Sequence, residues 1–385
     1  MNILFDYQAF ETQKIGGVSR TFAELADGLN RLGNNCIVGV KESDNVYIKD
    51  KNIVEGLRPY GYRFQKWFGH EQLFHGEDRI KRFVFKLANY NLYPNEDYCL
   101  RLLRGQQFDV FHPTYYSSYF LKYLKDKPFV LTVHDMMPEL FPEYFARNDF
   151  QIVQKKLLCP LAAHIHVPSM QTKNDLVNIL NISPEKITVI PHGFSPSKID
   201  GQKGNRLIGL PYVLYVGTRS EYKNFIHFVV ECSKIIKDFP EIQLVCTGPE
   251  FNVEERDLFI ALGISKNVKH FYASEDELNN LYQNAIAFVC PSLYEGFGMP
   301  VLEAFANHCP VMLNNTSCFP EVAGDAAIFF EMKDGKSDFY DKFKYLYELS
   351  EEDRESLINK GIERLSLYSW DKSAAMLEEV YKNCL

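Results

Sequence analysis

The sequence predicts an α/β protein built from two doubly wound parallel sheets that face each other across an interdomain cleft. Three observations carry this expectation. Short apolar runs, of the kind that form strands buried on both faces, alternate with amphipathic helical segments along most of the chain. Two of the strand-to-helix turns carry paired glycines, Gly16-Gly17 and Gly296 with Gly298. The length, 385 residues, exceeds what one compact core holds, so the alternation must divide into two domains.

Composition narrows the function classes. With 46% hydrophobic and 24% charged residues the chain reads as an ordinary globular protein, and its net charge of −8 argues against a nucleic-acid partner, which needs clustered basic surface. The nine cysteines are scattered, odd in number and never spaced C-x-x-C, as expected of small core residues in a reducing compartment. The first residues, MNILFDYQAF, lack the pattern of a signal peptide, and no run of 18 apolar residues occurs, so neither a leader nor a membrane span is expected.

Taken in order, Asn2 to Phe5 is a first strand, and a polar loop leads to Gly16-Gly17-Val18-Ser19-Arg20 at the start of an amphipathic helix through Leu29. Strand, glycine pair and helix start form an anion cradle, although the spacing is not the G-x-G-x-x-G of dinucleotide oxidoreductases. Cys36 to Val40 is a second strand. From about 58 to 104 the pattern becomes helical and rich in aromatic and basic residues. This insertion either packs on the first domain or offers a face for peripheral membrane contact and a lipid-linked acceptor.

Asp109 to His112 and Phe129 to Val133 read as buried parallel strands, ending in HPTYYS and HDMMPE. Ligands of open α/β sheets bind beyond the carboxyl ends of strands, so His134 points at the cleft. His164 and His166 share one face of a further strand and, with no third ligand near, read as packed strand residues and not as metal ligands. Ser169 caps the next helix. Lys186 to Ile190 closes the first domain, and Pro191-His192-Gly193-Phe194 begins a loose linker.

The second domain opens with Tyr212 to Gly217, followed by a loop with Arg219 and Lys223 on the cleft side of the sheet. Strands at Ile242 to Thr247, Val268 to Tyr272, Ala285 to Cys290 and Val311 to Leu313 alternate with helices, one of them opened by a Ser274 and Glu277 capping box. From Gly335 onward the pattern is helical.

The most informative stretch is CPSLYEGFGMPVLEAFAN, Cys290 to Asn307. A buried strand runs into a glycine-bearing turn, Pro300 suits the first position of a helix, and Val301, Leu302, Phe305 and Ala306 form its apolar stripe. Gly296 and Gly298 let a ligand approach the backbone, and the helix start favours an anion. Phosphate binding alone does not require the carboxylates Glu295 and Glu303. One suits ribose hydroxyls and the other sugar hydroxyls.

These residues carry a resemblance to a known family. EGFGMPVLE at 295–303 is similar to the E-G-F-G-x-P-x-x-E hallmark of the retaining glycosyltransferases of family 4, and HDMMPE and IPHGF resemble that family's first-domain strand end and interdomain joint. The resemblance implies the GT-B fold, two facing Rossmann-like domains. The first domain would span residues 1–193 on the acceptor side. The second, residues 194–367, would hold the nucleotide sugar, with a helix at about 368–385 crossing back onto the first. It implies His134, Arg219, Lys223 and Glu295 as catalytic residues, Arg219 sitting one position later than is usual. It also implies Gly16, Gly17, Gly248, Gly296, Phe297, Gly298, Met299 and Glu303 around the donor. The expected partners are a nucleotide-diphosphate sugar, mannose-like by resemblance, and a saccharide or lipid-linked acceptor. No cofactor and no metal are expected, since the sequence has no D-x-D. The place implied is cytoplasmic, at the inner face of the plasma membrane. A nucleotide-sugar epimerase or phosphorylase of the same shape and an inactive nucleotide-sugar-binding subunit stay open as alternatives.

Overall fold

The structure, a computed structural model, describes residues 1–59, 93–195 and 206–385. Most of the basic and aromatic insertion expected at about 58–104 therefore lies outside the described residues. Its last part forms a helix, Pro94–Gly105, with proline in the first turn. Asn95 at that first turn binds the backbone amides of Lys41 and Glu42, both at 2.8 Å.

The first sheet is all parallel. Strands β1 (Asn2–Phe5), β2 (Asn35–Val38) and β3 (Val110–His112) pair in the order β2-β1-β3. Strands β4 (Val130–Thr132), β5 (His164–Val167) and β6 (Ile187–Val189) pair in sequence order, and a parallel bridge from Phe111 to Phe129 joins the two halves. Between β1 and the helix Gly17–Arg31 the expected polar loop contains a short helix, Gln8–Thr12. Gln8 is buried at its start: its side chain hydrogen-bonds to Asp6, and Asp6 in turn accepts from the distant amide of Thr114 at 2.8 Å. Burial raises the Asp6 pKa, against those hydrogen bonds.

The second sheet comprises β7 (Tyr212–Tyr215), β8 (Gln243–Thr247), β9 (Val268–Phe271), β10 (Ala287–Cys290), β11 (Val311–Asn314) and β12 (Ile328–Phe330). All pairs are parallel, in the order β12-β11-β10-β7-β8-β9. The order reverses between β7 and β10, so the crevice that such a sheet opens to ligands lies beyond the carboxyl ends of those two strands. The expected capping box is present: Ser274 accepts from the amide of Glu277, whose carboxylate accepts from the amide of Ser274. The segment after Gly335 is not helical at once. A two-strand ribbon, Met332–Lys333 with Lys336–Ser337, precedes the helices.

The last helix, Trp370–Asn383, packs into the first domain's core through Trp370, Ala374, Leu377, Val380 and Tyr381. The Tyr381 hydroxyl lies 2.6 Å from Nδ1 of His112. Gly193 lets the linker cross this helix start, because a Cβ there would stand 2.2 Å from the Trp370 amide nitrogen. Among the described residues, no helix is long and apolar enough to cross a membrane.

Candidate active site

The reversal point of the second sheet is occupied by an ion pair. Lys223, at the end of the short helical turn after β7, reaches Glu295, on the turn after β10, at 2.5 Å. Ser292 donates to the same carboxylate oxygen at 2.8 Å, while Ser317 bonds to both the amide and the carbonyl of Glu295. Burial alone would lower the Lys223 pKa, but attraction to Glu295 outweighs it and lifts the value above that of a free lysine, keeping the ammonium charged. Met299, Pro300 and Val301, the first turn of the helix Met299–Ala306, line the same cavity. Gly298 caps this helix in the left-handed region, φ 89°, and its carbonyl accepts from the Val301 amide at 2.9 Å. A fixed cation beside a helix N-terminus can hold a diphosphate.

Glu303 faces a different cavity. It accepts from the Tyr282 hydroxyl at 3.2 Å, and burial raises its pKa. Arg20, from the helix that follows Gly16-Gly17, enters this cavity from the first domain and is held by the Ser195 carbonyl at 3.2 Å. The two carboxylates of the 295–303 motif thus serve separate compartments, one at the diphosphate-like pocket and one between the domains.

His134 lines a third cavity with Tyr115, Tyr116, Asp135 and Gln151, and Tyr222 of the second domain closes it. Its Nε2 is buried and has no hydrogen-bond partner among the described residues. Burial, with smaller repulsion from His192, His112 and Lys155, pushes its pKa down to about 3, so the ring is neutral near pH 7. The third cavity meets the second domain where the Gly296 backbone rests on the His134 carbonyl.

At five of the expected site positions the structure shows protein neighbours that the sequence does not announce. A Cβ on Gly296 would lie 2.1 Å from the His134 carbonyl oxygen, so this glycine permits close contact between the domains. Phe297 does not face the cleft: it is 5% exposed and packs edge-on against His192 and Tyr368. Arg219 is not beside Lys223. Its Nε donates to Glu255 at 2.7 Å, and one Nη donates to the carbonyls of Pro249 and Glu250, which leaves only the buried Nη1 without a partner among the described residues. At Gly16 the helix start is already served in part by the Gln13 side chain, which accepts from the Ser19 amide at 2.9 Å, while Gly17 stays open, since a Cβ added there would meet nothing within 4 Å. Gly248, φ 105°, brings the ends of β7 and β8 together, a Cβ there standing 2.3 Å from the Gly217 carbonyl.

Residues that sequence reasoning passed over complete the arrangement. Tyr294 donates to Asp175 at 2.7 Å and accepts from the Met136 amide at 3.3 Å, tying the second domain's motif to the first. Ser292, Ser317, Tyr222 and Arg20 sit in or beside the cavities; closeness in sequence to a glycine-bearing turn could have marked Ser292, Tyr222 and Arg20, while nothing local marks Ser317.

Residues 15–198 match the family described as Glycosyltransferase Family 4, and residues 200–364 match Glycosyl transferases group 1. The O-antigen chain mannosyltransferase RfbU of Salmonella typhimurium is 29% identical over 208 residues, 54% of this chain and 58% of that protein. The O-antigen chain mannosyltransferase B of Escherichia coli is 25% identical over 73% of this chain and 76% of its own length. Among solved structures, Anabaena HepE in complex with UDP-glucose superposes with a TM-score of 0.68 at 16% identity, over 100% of both chains.

Proposed function

The chain belongs to glycosyltransferase family 4 and has the GT-B fold, and from that premise we propose that it is a retaining hexosyltransferase that needs no metal. Its donor is a nucleoside-diphosphate hexose, with mannose the first candidate. Its acceptor is a saccharide or a lipid-linked saccharide of a bacterial surface polysaccharide. The observation that carries this reading is the Lys223 ammonium, held 2.5 Å from Glu295 beside the N-terminus of the helix Met299–Ala306.

Transfer breaks the bond between the sugar's anomeric carbon and the diphosphate oxygen, so negative charge grows on the leaving phosphate. A cation and amides fixed at that oxygen stabilise the transition state more than the ground state. Glu303 accepts hydrogen bonds from the ribose hydroxyls. His134, neutral, offers its free Nε2 to a hydroxyl of the donor sugar. The acceptor oxygen attacks the same face of the sugar, and its proton passes to the departing phosphate oxygen, so no protein base is assigned.

Support comes from the relatives named as O-antigen chain mannosyltransferases and from the missing D-x-D, which leaves charge neutralisation to Lys223 and the helix start. The test is a thermal-shift panel of GDP, UDP, dTDP and ADP, with and without EDTA. One diphosphate should stabilise the protein, by about 2.7 kcal/mol at 100 times its dissociation constant, equally in EDTA. Glu303→Ala should lose about 1.5–3 kcal/mol of that binding. No shift with any of the four, or a shift abolished by EDTA, contradicts the reading.

A further inference from the structure

The cavity that His134 lines is larger than one hydroxyl contact needs, and its remaining walls take no part in holding the donor. They come from the loops after β3 and β4 and from the helix Phe150–Leu161, and Tyr222, the residue before Lys223, closes them from the second domain. Asp135 stands at the border with the diphosphate pocket, its Cβ 3.2 Å from where a Cβ on Gly296 would be, in the turn that carries Glu295. A molecule in this cavity therefore lies next to the transferring centre.

The walls have the make-up of a sugar site. The cavity's volume, about 210 Å³, is below the about 300–1,000 Å³ of sites that enclose a drug-sized ligand, so it suits one ring and not a chain of them. Tyr115 and Tyr116 have ring centroids 4.8 Å apart, and since Tyr116 is buried, Tyr115 presents the accessible face. A flat aromatic face receives the C–H side of a sugar ring, whereas the hydroxyls around its edge need hydrogen-bonding partners. Asp135 accepts from the Met137 amide at 3.0 Å through Oδ1, and its Oδ2 has no partner among the described residues. The side-chain amide of Gln151 also has none among the described residues, its backbone amide being capped by Asp149.

The charge of the walls narrows what can enter. Among the described residues that line the cavity there is no lysine or arginine. Lys155 is near, 5.6 Å from the Tyr116 ring, but it is buried and its ammonium is held by Glu139 at 2.7 Å and by the Asp135 carbonyl at 3.1 Å. His134 is neutral, and burial raises the Tyr115 pKa, so that phenol is neutral as well. A phosphate or carboxylate placed beside Asp135 would be repelled with no cation to offset the cost.

We propose that this cavity is the acceptor subsite and that it takes an uncharged sugar ring, the ring's face on Tyr115 and its hydroxyls on Asp135 and Gln151. Asp135 turns away phosphate and uronic acid ends. The enzyme therefore lengthens a saccharide that already exists, and a separate transferase that places a first sugar on a lipid phosphate must supply any lipid-linked acceptor. This assignment rests on the reading of the Lys223 pocket as the donor's place.

The test is saturation-transfer NMR of the full chain, with GDP and separately with UDP present, against the methyl α- and β-glycosides of mannose, glucose and galactose, and against methyl β-glucuronide and geranyl phosphate. At least one neutral glycoside should bind, and neither anionic probe should. Asp135→Asn should weaken that binding by about tenfold and narrow the gap between the neutral ring and the glucuronide. Gln151→Ala should weaken it less, and either variant alone carries the comparison if the other does not fold. Melting temperature and diphosphate affinity should stay parental in both. In the transfer assay the glycoside that binds should show the same losses in KM. Binding of a neutral glycoside without transfer supports the sugar site while refuting the transfer reading. No binding of any neutral glycoside, glucuronide or geranyl phosphate bound as tightly as the neutral ring, or parental affinity in the folded variants overturns the proposal.

Discussion

Gly296→Ala separates two roles for a glycine that the sequence cannot distinguish. A Cβ at this position would lie 2.1 Å from the His134 carbonyl oxygen and 3.2 Å from both the His134 carbonyl carbon and the Asp135 Cβ. Carbon and carbonyl oxygen settle at about 3.3–3.6 Å, so the turn and the strand end must part by roughly 1.2–1.5 Å. Both sides are backbone and neither can rotate away. The Lys223 and Glu295 pocket belongs wholly to the second domain and moves as a unit, whereas His134 belongs to the first. A displacement of about 1 Å between reacting parts can cost 10²-fold in rate. Gly296→Ala should therefore lower turnover by about 10²-fold, with nucleoside-diphosphate affinity within about threefold of the parent. Steady-state kinetics and calorimetric titration of the diphosphate measure the two separately. Gly209→Ala, where an added methyl meets nothing within 4 Å, serves as the steric control. Parental turnover in Gly296→Ala, or an affinity loss as large as the turnover loss, refutes the domain-contact argument.

Lys223→Ala should reduce turnover by about 10²–10³, the range for losing one preorganised electrostatic donor, and added magnesium should not restore it; parental turnover would remove the proposed clamp. Arg219→Ala should act on stability, costing about 3–5 kcal/mol in urea unfolding because Glu255 loses its buried partner, and a loss below 1 kcal/mol would show that the pair is not structural. Stability should also depend on acid. Burial holds His134 and His166 at about 3 and His192 at about 4, against about 6.5 in the unfolded chain. The unfolded state therefore binds more protons between these values, so stability is complete above about pH 6.5 and falls as pH drops toward 4. A urea midpoint that rises over that interval would contradict the sign.

The parts of this protein that were legible in the sequence are those set by local chemistry. The apolar runs, the capping box at Ser274 and the strand, turn and helix around EGFGMPVLE each follow from residues within one turn or strand of each other. What was not legible depends on chain brought from far away. Nothing near Gly296 announces that the His134 carbonyl lies against it, and nothing near Arg219 names Glu255 as its partner. Phe297 sits in a ligand-type motif yet is buried by His192 and Tyr368, which belong to the linker and to the returning C-terminal segment. The helix Gln8–Thr12 is not legible because Gln8 looks like loop until Asp6 accepts from its side chain and Thr114 accepts from the Ala9 amide. Glu295 and Glu303 look like one pair because only seven residues separate them, but the helix between them turns each toward a different cavity.

The central claim is that this site transfers a sugar with retention, using Lys223 and a helix start in place of a metal. The most direct measurement is incubation of the EDTA-treated protein with GDP-α-mannose, and in parallel UDP-α-glucose, in the presence of lipid-linked saccharide acceptors, followed by NMR of the isolated product. Transfer in EDTA and an α linkage to the new sugar are the expected result. A β linkage, or transfer that appears only when a divalent metal is returned, would contradict it.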